Sequence, residues 1–216
     1  MEIITDIEKL SERADELDIR KENNLMREII LKLKETVREN NLNGLTAPQI
    51  GYNKRILVIN FKGDVRSFIN PIISRSEGFT LKREKCSSIP NKEFIRPRNT
   101  TIFITYQDPL GKIKSIRLDG EAAFVFQHEL DHLDGLLLSD IGLELDKDFD
   151  KASDEEKNEL LDAYLDSLDI KKKEMHEEIN NDEMLKKTES AIDFMTKLQK
   201  GEVELGDQVS AKRKQD

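Results

Sequence analysis

Cysteine is almost absent from this chain. There is one, Cys86, in 216 residues, so no internal disulfide can form and a reducing compartment, the cytoplasm, is the expected one. Long apolar runs are missing too. No stretch reaches the roughly 18 apolar residues that a membrane-spanning helix needs. Residues Met1 to Glu8 lack the basic start and apolar run of a signal peptide, and are too acidic for a transit peptide. Positive charge is in deficit, with 35 Lys and Arg against 44 Asp and Glu and a formal net charge of -9. That balance argues against broad binding to a nucleic-acid backbone, and neither a membrane nor a specific nucleic acid is an expected partner.

Hydrophobic and charged residues each make up 37% of the chain, more polar than an average domain. The excess charge is concentrated in the last third. The length suits one domain with a sizeable core and an appendage. Ser11 to Leu17 reads as a short helix or loop. From Asn24 to Asn40, Leu25, Met26, Ile29, Ile30, Leu33 and Val37 recur at helical spacing and predict an amphipathic helix, ended by the Asn- and Gly-rich run to Gly44. Strands are expected at Arg55–Asn60, at Ser67–Ile73 interrupted by Pro71, at Gly78–Lys82 on a weaker pattern, and at Thr101–Tyr106. Ile113–Leu118 reads as the return arm of a hairpin around Asp108–Lys112.

Two of the three histidines stand in Gln127-His128-Glu129-Leu130-Asp131-His132. Histidines four residues apart on a helix lie about 40° apart around its axis, so both rings reach one metal ion. Glu129 lies about 60° past His132, beside such an ion without ligating it. Apolar residues Ala122–Phe126 and Leu136–Leu138 flank the motif, so its helix enters a core. Asp119 is a candidate N-cap for that helix. Cys86 in Glu84-Lys85-Cys86-Ser87-Ser88 reads either as a small buried residue or as a functional thiol. Gln49 sits in Gly44-Leu45-Thr46-Ala47-Pro48-Gln49-Ile50-Gly51, which is either a plain connection or a backbone held close to a ligand with an amide on offer. Combined, two imidazoles and one thiolate give three ligands and leave a fourth position for water, the mark of a catalytic metal site.

These segments resemble the three motifs of the peptide deformylases. Gly-x-Gly-Leu-Ala-Ala-Pro-Gln stands here as Leu42-Asn43-Gly44-Leu45-Thr46-Ala47-Pro48-Gln49, and Glu-Gly-Cys-Leu-Ser as Glu84-Lys85-Cys86-Ser87-Ser88. The third motif, Gln-His-Glu-x-Asp-His, is complete. The resemblance covers roughly residues 1 to 140. It implies Cys86, His128 and His132 as metal ligands, with iron(II) in the cell and zinc, nickel or cobalt as substitutes. It implies Glu129 as general acid/base, and the Gln49 amide and Ser87 backbone N–H as oxyanion donors. The implied reaction is hydrolysis of the formyl group from N-formylmethionine on nascent polypeptides, with an acidified water at the metal as nucleophile and formate as product. Gly44, Phe124 and Val125 are candidates for the substrate pocket, the latter two being equally compatible with ordinary core packing. Asp131 is expected to hold a ligand histidine or an arginine such as Arg98. The departures are Leu42, Thr46, Lys85 and Ser87; none removes a ligand, the base or the amide.

The expected fold is α+β, with mixed or antiparallel sheets around a central metal-binding helix and a helical C-terminal extension. Residues 1–145 form the expected catalytic domain and 146–216 a charged extension. In the latter, Ser153-Asp154-Glu155-Glu156 is a capping box opening a helix with Leu160, Leu161, Tyr164, Leu165 and Leu168 on one side. His176 reads as a surface residue in a charge run. A second helix is expected at 182–200, and disorder after Gly201, toward Lys212-Arg213-Lys214. Family members often end in a helix that contacts the ribosome, which makes the ribosome a candidate partner of the extension. Two other readings compete: a zinc protease sharing the histidine motif, and a non-catalytic relative that binds through its tail. Cys86 and Gln49 argue against the first, and the intact Glu129 and ligands against the second.

Overall fold

The computed structural model of the chain describes residues 2–146, 149 and 151–180. The expected helix at 182–200, the disorder after Gly201, the basic run at 212–214 and the side chain of His176 lie outside what is described. The chain divides into two compact units, Met1–Lys157 and Asn158–Asp216.

In the first unit, a short helix α1 (Ile7–Leu10) is followed by α2 (Asn23–Glu39), one residue from the range read off the apolar periodicity. Met26, Ile29, Leu33 and Val37 on α2 are wholly buried. They pack on β1 (Gly44–Thr46) and β2 (Ile56–Phe61), through Leu45, Ile56 and Val58. Ser11–Leu17 is irregular and tied down by an isolated bridge from Asp15 to Lys54. The supposed connection at 44–51 is partly regular: β1 leads into a 3-10 turn over Pro48–Ile50.

The remaining strands are β3 (Asp64–Glu77), β4 (Thr80–Cys86), β5 (Ile89–Arg98), β6 (Thr101–Gln107), β7 (Ile113–Asp119) and β8 (Leu143–Glu144). They form a five-stranded sheet in the order β1-β2-β3-β6-β7 and a three-stranded sheet β4-β5-β8, and every strand pair among the described residues is antiparallel. The strand around Pro71 is not interrupted. β3 runs through it because the register slips between Ile69 and Ile72, a bulge that absorbs the missing N–H. Asn70 takes a left-handed conformation there (φ 48°). Its side chain fastens the bulge to Leu17, bonding that residue's N–H and carbonyl at 2.9 Å each.

Helix α3 (Glu121–Leu133) carries the histidine motif and packs on β1, β2 and β7. Its cap is Gly120, not Asp119. β7 continues through Asp119, whose carboxylate is taken up by the Thr101 hydroxyl at 2.7 Å and by Arg117. Phe126, wholly buried on α3, stands edge-on to Phe68 of β3 with ring centroids 5.4 Å apart. At the other end, Arg55 donates to the Leu133 carbonyl at 3.1 Å and to Asp134 at 2.6 Å, placing a cation at the helix C-terminus, where the dipole favours it. A short helix α4 (Leu138–Ile141) follows.

The last described helix, α5 (Asp154–Asn180), opens on the expected capping box. Glu156 N–H donates to Ser153 Oγ at 3.2 Å, and Ser153 N–H to the Glu156 carboxylate at 2.8 Å. In the second unit, Leu161, Tyr164, Leu165 and Leu168 are half-buried and Leu160 is exposed, so this stripe is only partly covered.

Phe126→Ala removes the ring that joins α3 to the larger sheet, and by large-to-small core behaviour it should cost about 3–5 kcal/mol. Urea unfolding should show this as a lower midpoint with an unchanged slope; an unshifted midpoint would contradict the packing described.

Candidate active site

Three chain segments converge where the two sheets flank α3. β4 ends at Cys86, α3 presents His128, Glu129 and His132, and the turn after β1 presents Gln49. One ligand atom from each of Cys86, His128 and His132 lies within 4.8 Å of the others. Cys86 Sγ is 3.1 Å from His132 Nε2. A thiolate and two imidazoles at such spacing suit a divalent transition metal at ligand bonds of about 2.0–2.3 Å.

The imidazoles are held differently. His128 Nδ1 is 2.8 Å from the Glu84 carboxylate, which leaves Nε2 for a cation. Burial alone would lower the pKa of His128, but its hydrogen bonds to Cys86 and Glu84 outweigh that and push it up to about 10. His132 has the opposite fate. Burial, then repulsion from His128 and Arg98, holds it down to about 3, and its Nδ1 has no hydrogen-bond partner among the described residues.

Glu84 anchors the site. Its carboxylate is gripped by Arg98, Nε to Oε1 at 2.6 Å and a terminal nitrogen to Oε2 at 2.9 Å. Arg98, only 3% exposed, reaches on to Asp131 at 2.5 Å. Burial would raise the pKa of Glu84, yet Arg98 and His128 together bring it down to about 2. The Asp131–Arg98 contact was one of two partnerships expected for Asp131. The role of Glu84 had no signal in the sequence beyond its place beside Cys86.

Glu129 is 5% exposed and its Oε2 has no hydrogen-bond partner among the described residues. Burial pushes its pKa up to about 7, the effect of His128 opposing and that of Glu84 assisting. Gln49 is oriented by its own oxygen, which accepts the Thr46 N–H at 2.9 Å and the Thr46 hydroxyl at 3.0 Å. The amide nitrogen therefore faces the site, donating to Ser88 Oγ at 3.2 Å and standing 3.5 Å from His132 Nε2. Gln127, whose place in the motif carried no assigned role, is structural. It accepts the Asn99 N–H and donates to the Asn99 and Ala123 carbonyls, all at 2.9 Å, pinning α3 to the turn after β5.

A cleft of about 390 Å³ opens onto these groups, with Gly44, Gln49, Ser87, Phe124, Val125 and Glu129 in its lining. All the residues singled out as candidate site residues thus come together. Val125 lines the cleft and also packs against the core around Phe68 and Phe126. Gly44 has a steric reason to be glycine: a Cβ there would fall 2.5 Å from the Glu129 carboxylate.

Fold and site together define the class: a metal-dependent hydrolase with a His-Glu-x-x-His helix and a thiol that could complete a metal site. The family model for polypeptide deformylase matches residues 2–147. A peptide deformylase of Dictyoglomus turgidum is 38% identical over 136 residues, covering 63% of this chain and 84% of the relative. Among solved structures, peptide deformylase from Thermotoga maritima superposes with TM-score 0.61 at 30% identity, covering 65% of this chain and 95% of the other. A probable peptide deformylase from Synechococcus phage S-SSM7 gives 0.59 at 33%, over 64% and 97%. The chain belongs to the polypeptide deformylase family, and its activity is the removal of the formyl group from formylmethionine at the start of nascent polypeptides.

Gly44→Ala should leave the fold intact and displace the Glu129 carboxylate. A misplaced catalytic group costs on the order of 10²-fold in rate. Circular dichroism with a formate-release assay would check this; full activity in a folded variant would contradict the close approach.

Proposed function

We propose the following roles for the site residues of this deformylase. Cys86, His128 and His132 hold one divalent metal, iron(II) in the cell, with zinc, nickel or cobalt able to replace it. Bound there, the cation supplies Lewis acidity, which makes water a nucleophile near neutral pH and polarises a carbonyl. Glu129 accepts the proton from the attacking water and passes it to the methionine nitrogen as the formyl C–N bond breaks, releasing formate. The Gln49 amide and the Ser87 backbone N–H donate to the formyl oxygen as negative charge develops on it. The observation that carries this reading is the buried Glu129 carboxylate beside the cysteine and histidines, its Oε2 without a hydrogen-bond partner among the described residues and its pKa raised to about 7 by burial.

The peptide lies in the cleft as an extended segment. β1 is the outer strand of one sheet and β4 of the other, and both border the cleft, so free backbone groups are available on either side. Gly44, Phe124 and Val125 line the seat of the methionine side chain. Residues 1–145 are the catalytic domain and 146–216 an extension that contacts the ribosome, and the enzyme works in the cytoplasm. A non-catalytic binding role would predict a damaged ligand set or base, and neither is damaged.

Metal-loaded protein should release formate from formyl-Met-Ala-Ser. Glu129→Gln should lower kcat by about 10²–10⁴-fold with metal content unchanged, whereas Cys86→Ala should lose the metal, as read by elemental analysis. Equal rates for the parent and Glu129→Ala would rule the mechanism out. Ending the chain near Asp150 should leave small-peptide turnover intact and weaken cosedimentation with ribosomes; unchanged cosedimentation would remove the ribosome from the reading.

A further inference from the structure

The cleft has a cationic lip in an acidic protein. Its lining includes Lys82, Arg83 and Lys85, three of the seven residues of β4, while the chain as a whole carries a net charge of -9. The acidic groups that face the same cleft are engaged elsewhere. Glu84 is bound by Arg98 and His128, Glu121 pairs with Lys82, and Glu129 is buried. Arg83 is only loosely held, 3.9 Å from Glu93 with its side chain 57% exposed. Of the three cations, only Lys82 and Arg83 have a carboxylate partner among the described residues. Lys85 is exposed and stands where the family motif has glycine, so its whole side chain is an addition at the lip.

Position along the strand says which part of a substrate meets these charges. Cys86 marks the reacting centre, and β4 recedes from it at about 3.3 Å per residue, placing Lys85 roughly 3 Å and Arg83 roughly 10 Å away along the strand. A peptide with its formyl group at the centre recedes at the same pitch. The residues just after methionine therefore pass Lys85 and Arg83, within reach of those long side chains.

We propose that Lys85 and Arg83 make this enzyme select formylmethionyl chains with aspartate or glutamate at the second to fourth positions. The inference rests on the deformylase reading of the site. Attraction between exposed charges is modest and screened by salt, so a preference of roughly fivefold is expected at low ionic strength, declining as salt is added.

The test compares kcat/KM for formyl-Met-Asp-Glu-Ser, formyl-Met-Ala-Ala-Ser and formyl-Met-Lys-Lys-Ser in the full-length, metal-loaded protein. Binding of the three unformylated product peptides, followed by fluorescence anisotropy, reads the same preference without turnover. The order acidic, neutral, basic is expected in both. Lys85→Glu combined with Arg83→Glu should invert it, and Lys85→Arg should keep it. Both positions are exposed, so folding is not at stake. Ratios within twofold across the three peptides in turnover and binding, or an order that survives the double reversal, would overturn the proposal. Absence of formate from every peptide with the binding order intact would instead remove the deformylase reading and leave the cationic lip standing.

Discussion

One buried carboxylate organises this site. Glu84 is simultaneously the second partner of His128 and the partner of Arg98, which in turn holds Asp131 on the motif helix. A guanidinium that is 3% exposed is tolerable only when paired on more than one side, because an uncompensated buried charge costs several kcal/mol. The consequence is geometric. β4, β5 and α3 must meet in a single register, since Glu84, Arg98 and Asp131 come one from each. Cys86 lies two residues beyond Glu84 on the same strand, past a register shift in the β4–β5 pairing, so the ion pairs fix the strand just before the irregularity that brings the thiol to the histidines.

The same network separates the two histidines chemically. Glu84 supports a proton on His128, while His132 sits where burial and neighbouring positive charge keep it neutral. Equal rings four residues apart on one helix are thus made unequal by what approaches each from the second sheet. A cation held by the two rings would need each unprotonated on its ligating nitrogen. Glu129, between them in sequence, is raised toward neutrality by burial, the range that suits general acid/base work.

What was legible beforehand follows the range of the interactions involved. The helix of residues 23–39, the capping box at Ser153 and the histidine pair depend on spacings of three or four residues, and these are visible in a chain read linearly. The grouping of Cys86 and Gln49 with the histidines came through motif resemblance, since no local pattern joins positions so far apart. Three features escaped. The continuity of β3 through Pro71 depends on a bulge fastened by Asn70 to Leu17, 53 positions away. Asp119 was lost as a cap because strand pairing with Thr101 claimed it. Glu84 and Gln127 act through partners 14 to 44 residues distant, chosen by proximity in the folded chain rather than by neighbourhood in sequence.

The departures from the family motifs can be ranked by what each atom touches. Leu42 packs against the core beneath α2 and also borders the cleft, and its carbonyl accepts from Asn60 at 3.3 Å. Thr46 adds a hydroxyl contact to a Gln49 oxygen already held by the Thr46 backbone, reinforcing an orientation the main chain sets. Lys85 and Ser87 are exposed on the cleft on either side of Cys86. Gly44, the motif glycine beside the site, is retained, and its missing Cβ is the space that Glu129 occupies. The departures border the cleft or back the Gln49 amide, and none falls on Cys86, Gln49, His128, Glu129 or His132. Such positions can change how a substrate is met without altering the groups that act on it.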